Sequence, residues 1–152
     1  AREKIPSLAI QPFHPRARFT RSPTKLSSPS QFLTKVSTMP LLHIQTNLSL
    51  TAKQTSDTLK TLSSQAANWL EKSENFVQII LQPQQPMTFA GTEQPTAHIR
   101  WESLGFGQRS FEELSQLLCR LIQQCLGIPS ERIFIRFCEV ARSQWGWDGH
   151  TF

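Results

Sequence analysis

The sequence predicts one α/β domain of the α+β type, in which two β-α-β units form a four-stranded sheet with both helices on one face. Four short apolar segments have the length and composition of strands, and two longer segments repeat their apolar residues at helical spacing. Strand, helix and strand follow one another twice in this order. A turn-rich stretch at 82–95 separates the two units.

The first unit is predicted to run from a strand at 41–46, through a helix at 51–72, to a second strand at 76–81. The strand begins with apolar residues and ends at Thr46. The apolar positions of the helix fall about three or four residues apart, at Leu59, Leu62, Ala66 and Trp69 or Leu70.

The second unit repeats the pattern with a strand at 97–103, a helix and a returning strand at 132–138. Ser110 and Glu113 have the spacing of a capping box, so the helix is predicted to begin there. Gly127 is predicted to end it. Its expected apolar face consists of Phe111, Leu114, Leu118, Leu121, Cys125 and Leu126.

A sheet that carries helices on one side only leaves its other face to be covered. On the last strand that face is formed either by Ile133, Ile135 and Phe137 or by Phe134, Arg136 and Cys138. Self-association is the simplest cover. The aromatic tail 145–152 is also predicted to lie against a neighbouring surface.

Residues 1–38 are predicted to be a disordered basic leader, separate from a domain at 39–152. They contain seven basic side chains and one acidic one, a net charge of +6, whereas the whole chain has +5. The domain itself is therefore close to neutral and predicts no nucleic-acid partner. The leader resembles an organelle transit peptide, although a spurious upstream extension explains its composition equally well. It lacks an apolar run long enough for a secretory signal or a membrane span.

The three cysteines, Cys119, Cys125 and Cys138, show neither disulfide-framework nor zinc-site spacing. We interpret them as reduced packing residues. The histidines (His14, His43, His98 and His150) are scattered and are interpreted as ordinary polar positions. No metal or cofactor is expected.

Pro40 follows Met39 at the boundary between leader and domain. If the chain starts at Pro40, that residue has a secondary amine that can accept a proton. Inside a longer chain the same nitrogen is an amide, with neither a usable lone pair nor a hydrogen to donate. The position of the amino terminus therefore decides whether Pro40 can act as a base.

Several motifs in order resemble the macrophage migration inhibitory factor and D-dopachrome tautomerase family, in its cyanobacterial or plant-like form. They are the start at 39–47, the segment at 86–95, the Ser103-Leu104-Gly105 step, the strand at 132–136 and the ending at 146–152. The resemblance covers all of residues 39–152 and leaves the leader outside. It implies a homotrimer in which three sheets form a barrel, with active sites between subunits.

The resemblance also implies a keto-enol tautomerase for aryl pyruvates such as phenylpyruvate, with Pro40 as the general base. Lys72 would pair with the substrate carboxylate, although it equally suits a helix C-terminus. Leu104 would contribute its backbone N–H, with Ser103 beside it. Trp145, Trp147 and Phe152 would form an aromatic wall, although a purely structural role for at least two of them is the simpler interpretation.

Two positions depart from the vertebrate pattern of Tyr and Asn. Phe134 lacks the hydroxyl, and Arg136 adds a planar cation that can hold a carboxylate with two hydrogen bonds. Arg136 either binds the acid substrate or pairs with Glu102 or Glu139. The family's second proposed chemistry, thiol-disulfide exchange, needs a C-x-x-C pair, which Thr96 and Ile99 replace here.

A different class of function is also open, namely a cytokine-like or regulatory binding protein whose pocket is vestigial. The resemblance favours a cytoplasmic location, or a plastid if the leader is a transit peptide. The expected partners are a small keto acid and two further copies of the chain, with neither nucleic acid nor membrane.

Overall fold

A computed structural model of the protein describes residues 39–152, and the predictions made for 1–38 lie outside the described residues. The main elements are β1 (Leu41–Thr46), α1 (Ala52–Trp69), β2 (Gln78–Gln82), β3 (Ala97–Ser103), α2 (Phe111–Leu126), β4 (Ile133–Glu139), β5 (Gly146–Trp147) and β6 (His150–Thr151). Single 3₁₀ turns lie at Glu74–Phe76, Ser130–Arg132 and Arg142–Gln144. No helix in this part of the chain is long and apolar enough to cross a membrane.

The main sheet has the strand order β2-β1-β3-β4, which confirms the two β-α-β units. β1 pairs with β2 in parallel, and β3 pairs with β4 in parallel. The two units join through an antiparallel pairing of β1 with β3. The edges of the sheet are therefore β2 and β4.

The hydrophobic core lies between the helices and one face of the sheet. β1 and β3 bury alternate residues completely or nearly so, among them Leu42, Ile44, Ile99 and Trp101. On β4, Ile133, Ile135 and Phe137 join this core, which settles the alternatives for that strand. The other set, which includes Phe134 and Arg136, lies on the opposite face of the sheet, hereafter the open face.

Both helices begin at a capping box, formed by Thr51 with Gln54 in α1 and by Ser110 with Glu113 in α2. These reciprocal hydrogen bonds satisfy N–H groups that the first turn of a helix leaves without partners. α2 ends where predicted, because Gly127 adopts the left-handed conformation with φ +69°.

The predicted end of α1 at Lys72 is wrong, because the helix ends at Trp69. Glu71 takes a positive φ of 53°, and the Lys72 N–H donates to the Ala67 carbonyl oxygen at 2.9 Å. This is the bonding pattern of a Schellman motif, which here uses a glutamate in place of the usual glycine. The absence of glycine or proline at the helix end removed the signal that would have placed it.

Smaller differences occur at the strand boundaries. β2 begins at Gln78 rather than at residue 76, because a 3₁₀ turn at Glu74–Phe76 comes first. β4 begins and ends one residue later than predicted, at Ile133 and Glu139. A hairpin formed by β5 and β6 was not predicted.

Candidate functional site

The end of the sheet at which β1 begins brings together several of the predicted site residues. Pro40 is buried and immediately precedes β1. Its carbonyl oxygen accepts a hydrogen bond from the Gln78 N–H at 2.9 Å, which holds it beside the start of β2. Continuing the pairing of β1 with β3 by one residue places Pro40 opposite Ser103. Pro40 therefore lies at the start of β1, between β2, to which a backbone bond joins it, and β3.

The Ser103-Leu104-Gly105 step forms a fixed turn beside Pro40. The Ser103 hydroxyl donates to the Gly105 carbonyl oxygen at 2.6 Å, and the Ser103 carbonyl oxygen accepts from the Val140 N–H at 2.9 Å. Within residues 39–152, no hydrogen bond from the Leu104 N–H is found. The turn therefore holds a backbone donor that remains available to a ligand oxygen.

Lys72 lies just after the C-terminal end of α1. This end of the helix contacts the loop that leads from the Ser103-Leu104-Gly105 turn to α2. Arg109 donates from its Nε to the Trp69 carbonyl oxygen at 3.1 Å. That bond ties the end of α1 to the segment between β3 and α2. The Schellman motif then fixes the backbone of Lys72 at this end of the sheet.

The C-terminal hairpin forms an aromatic surface with the turn that precedes β2. The Trp147 ring lies 5.9 Å from Phe76 in an edge-to-face arrangement and 6.3 Å from Phe152 in a stacked one. The Phe152 N–H donates to the Trp145 carbonyl oxygen at 3.3 Å. Trp147 is 53% exposed, so this surface is open to a ligand or another chain. Phe76 was not among the predicted site residues.

The strand register places Phe134 and Arg136 well away from Pro40 within one subunit. Phe134 pairs with His98 and Arg136 with Arg100, whereas Pro40 adjoins Ser103 at the other end of β3. At about 3.3 Å per residue, Phe134 lies roughly 17 Å and Arg136 roughly 10 Å along the strand direction from Pro40. One subunit therefore does not bring these two residues together with Pro40.

Phe134 is exposed but rigidly supported. It is 64% exposed, and its ring lies 4.9 Å from the Phe89 ring. The Phe89 ring in turn lies under the Arg132 guanidinium, which is 5.2 Å from the ring centre. Arg132 also donates to the carbonyl oxygens of Thr92, Gln94 and Pro95. These contacts fix one wall of a recess of about 430 Å³ beside Phe134.

Arg136 does not form either of the ion pairs considered for it. Glu102 pairs with Arg100 instead, with 2.8 Å between Nε and Oε1. Within residues 39–152, no ion pair joins Arg136 to Glu102 or to Glu139. The exposed guanidinium of Arg136 therefore remains accessible to a carboxylate from outside this part of the chain.

The three cysteines do not form a disulfide. Burial raises the pKa of the Cys119 and Cys125 thiols above their ordinary value, so both are protonated at neutral pH. No cluster of metal-binding side chains occurs among residues 39–152. His43 differs from the ordinary polar position predicted for it, because its Nε2 is buried without a hydrogen-bond partner in that range.

The family model described as macrophage migration inhibitory factor (MIF) matches residues 39–152. Rat macrophage migration inhibitory factor is 31% identical over 115 residues, which cover 75% of this chain and 99% of the rat protein.

Solved structures show the same similarity. The crystal structure of the macrophage migration inhibitory factor homologue from Prochlorococcus marinus has a TM-score of 0.69 and 42% identity, and the match covers 74% of this chain and 98% of that one. The Trichinella spiralis structure has a TM-score of 0.66 and 27% identity, with coverage of 74% and 99%.

Proposed function

The chain belongs to the macrophage migration inhibitory factor family, a member of the tautomerase superfamily, and on that premise we propose that it is a keto-enol tautomerase for aryl pyruvates such as phenylpyruvate. The observation that carries this proposal is the burial of Pro40 between β2 and β3, beside the unbonded N–H of Leu104. In a chain that begins at Pro40, a proton acceptor would thereby adjoin a donor to substrate oxygen at one end of the sheet.

Pro40 is the proposed general base. A terminal amine has a reference pKa of roughly 8. An apolar pocket with nearby cations disfavours the charged form of an amine and lowers its pKa towards neutrality, where proton transfer in both directions is efficient. The amine would remove a proton from the carbon next to the substrate carbonyl and return it to the other tautomer.

Other residues at this end of the sheet would bind the substrate. The Leu104 N–H would donate to the carbonyl oxygen on which charge develops, and the Ser103 hydroxyl would hold the turn that presents it. Lys72 would bind the carboxylate. The aromatic ring of the substrate would pack against the surface formed by Trp145, Trp147, Phe152 and Phe76.

A homotrimer would complete the site. Phe134 and Arg136 are too far from Pro40 within one chain, so they would act in the site of an adjacent subunit. The exposed Phe134 and the two sheet edges, β2 and β4, support such an assembly, because unpaired strand edges and exposed rings are stabilised by a neighbouring chain. Arg136 would then contribute a second cation for the substrate carboxylate.

We also infer that residues 39–152 form the tautomerase domain and that residues 1–38 must be absent for catalysis. The family match begins at Met39, where the leader ends. A chain that continues through Met39 has an amide at Pro40, which cannot act as the base.

The direct test measures phenylpyruvate enolisation by a chain that begins at Pro40. We expect turnover, and we expect Lys72→Ala to raise KM because it removes a carboxylate contact. Lys60→Ala, on the exposed side of α1, is the matched control and should leave KM unchanged. A rate no greater than that in buffer alone would instead favour the cytokine-like binding protein with a vestigial pocket.

A further inference from the structure

One row of side chains across the open face contains three basic residues side by side. His43 on β1 pairs with Arg100 on β3, and Arg100 pairs with Arg136 on β4. Adjacent strands lie about 4.8 Å apart, so the two arginine side chains leave the sheet as immediate neighbours. Like charges directly opposite each other on paired strands are destabilising unless an anion lies between them.

The open face provides too little negative charge to compensate this row. By the strand register, Glu102 is the one acidic residue on that face within residues 39–152. It pairs with Arg100, with 2.8 Å between Nε and Oε1, and the Arg100 side chain remains partly exposed. The neighbouring rows contribute neutral residues such as Gln45 and Cys138, with His98 as a further basic side chain.

A second observation points to the same place. The Nε2 atom of His43, at the end of the row, is buried yet has no hydrogen-bond partner among the described residues. Buried polar atoms in folded proteins are nearly always paired with protein, water or a ligand. The row therefore combines accessible guanidinium groups with an unpaired ring nitrogen.

We propose that the row formed by His43, Arg100 and Arg136 binds a small oxyanion of the inorganic phosphate type. Guanidinium groups match tetrahedral oxyanions because two parallel N–H groups can donate to two oxygens. Glu102 compensates one of the two arginines, which leaves a net positive charge in the row for an anion to balance. In the homotrimer proposed above, three such rows would line the inside of the barrel.

Arg136 is shared between this anion site and the substrate carboxylate contact of the proposed function. The consequence for catalysis rests on that proposed function: bound phosphate should compete with an aryl pyruvate and raise its KM. Binding of the anion itself depends only on the row. The two proposals can therefore fail independently, because one is measured by binding and the other by turnover.

The test is isothermal titration calorimetry of inorganic phosphate into the full chain, with sodium chloride at matched ionic strength as the reference. We expect a saturable phosphate signal that chloride does not give. Arg100→Gln and Arg136→Gln should each weaken phosphate binding at least tenfold, whereas Arg120→Gln on the exposed side of α2 should not. All variants keep the leader, so any binding to its basic residues is common to them.

Glu102→Gln is the variant that distinguishes loss of the anion site from loss of folding. Removing the competing carboxylate should tighten phosphate binding, a gain that misfolding cannot produce. A phosphate signal no larger than that of chloride, wild-type affinity in both arginine variants, or unchanged or weaker binding by Glu102→Gln would each overturn the proposal. Phosphate binding by the full chain, together with no phenylpyruvate turnover by the chain that begins at Pro40, would support the anion site and contradict the proposed function.

Discussion

Two side chains on the open face, Phe134 and Arg136, determine how the proposed site would differ from the vertebrate pattern. Phe134 is held by the Phe89 ring and, through it, by Arg132. Arg136 has no support of this kind and no carboxylate partner at Glu102 or Glu139. Phe134 would therefore contribute a fixed apolar wall to the site, and Arg136 would contribute a positive charge on a side chain that can change its conformation.

Arg136→Ala should raise KM for an aryl pyruvate acid more than for its methyl ester. The expected difference is about 1.5 to 3 kcal/mol, the value of a charge-assisted hydrogen bond. Steady-state kinetics on both substrates measure it. Arg120→Ala, away from the sheet, is the control, and equal effects of Arg136→Ala on acid and ester would rule out the contact.

For individual residues, the sequence predicts the chemical groups present better than it predicts the contacts that those groups make. The secondary amine that Pro40 would have at a chain start and the turn at Ser103 can both be predicted from local sequence, and the structure places both residues at one end of the sheet. Phe76 could not be predicted, because its contact with Trp147 joins segments some seventy residues apart. The unpaired Nε2 of His43 also depends on burial that no spacing rule reveals.

The C-terminal hairpin is the element that positions the aromatic surface. Its turn contains Asp148 and Gly149 with φ values of 48° and 78°. Two consecutive positive φ values fit the type I′ turn, for which Asp-Gly is a favoured sequence. That dipeptide is the signal from which the hairpin could have been predicted, although strands of two residues are too short to show alternation.

Gly149→Ala should disturb the hairpin and raise KM for phenylpyruvate. An added Cβ would meet no atom within 4 Å, so the effect is backbone strain at positive φ, which costs about 1 to 2 kcal/mol. If all of this strain reached the site, KM would rise by up to about thirtyfold. The melting temperature should change little, because the hairpin lies outside the main sheet.

Gly146→Ala is the matched control within the same hairpin. Its added Cβ would make an ordinary contact of 3.7 Å with the His150 carbonyl oxygen, and its φ does not require glycine. We expect nearly unchanged kinetics. Equal KM values for both alanine variants would show that the turn does not position the aromatic surface.

The helices show how far element boundaries follow from sequence. Both capping boxes and the Gly127 stop have local signatures, and the structure confirms the predicted start and end of α2. The end of α1 depends on Glu71 adopting a conformation that glutamate rarely takes. Tertiary hydrogen bonds such as the one from Arg109 to Trp69 favour a helix end at this position, and such bonds cannot be predicted from the local sequence.

At the scale of the whole molecule, the fold leaves one face of the sheet and both of its edges without a partner among residues 39–152. The order of elements and the side on which the helices pack follow from the repeated β-α-β pattern. Which residues of β4 face outward does not, because both alternating sets contain apolar side chains. The structure places Phe134 on the open face, which strengthens the case for an assembly.

Residues 40–152 should therefore form a trimer in solution. The expected result of sedimentation equilibrium is a mass close to three chains at micromolar concentration. The driving force is the covering of the open face and the pairing of β2 and β4 with neighbouring strands. A stable monomer at that concentration would remove the proposed inter-subunit site and the role of Phe134 and Arg136 in it.

The central claim is that catalysis needs a free amine at Pro40. Its most direct test compares phenylpyruvate enolisation by three proteins: the uncleaved chain 1–152 of verified mass, the chain that begins at Pro40, and the Pro40→Gly variant of that shorter chain. We predict that the shorter chain is active and that the uncleaved chain is slower by about 10² to 10⁴, the usual cost of losing a positioned general base. The glycine variant tests the need for the secondary amine and should also be slower than the chain that begins at Pro40. An uncleaved chain as fast as the shorter one would show that another residue is the base.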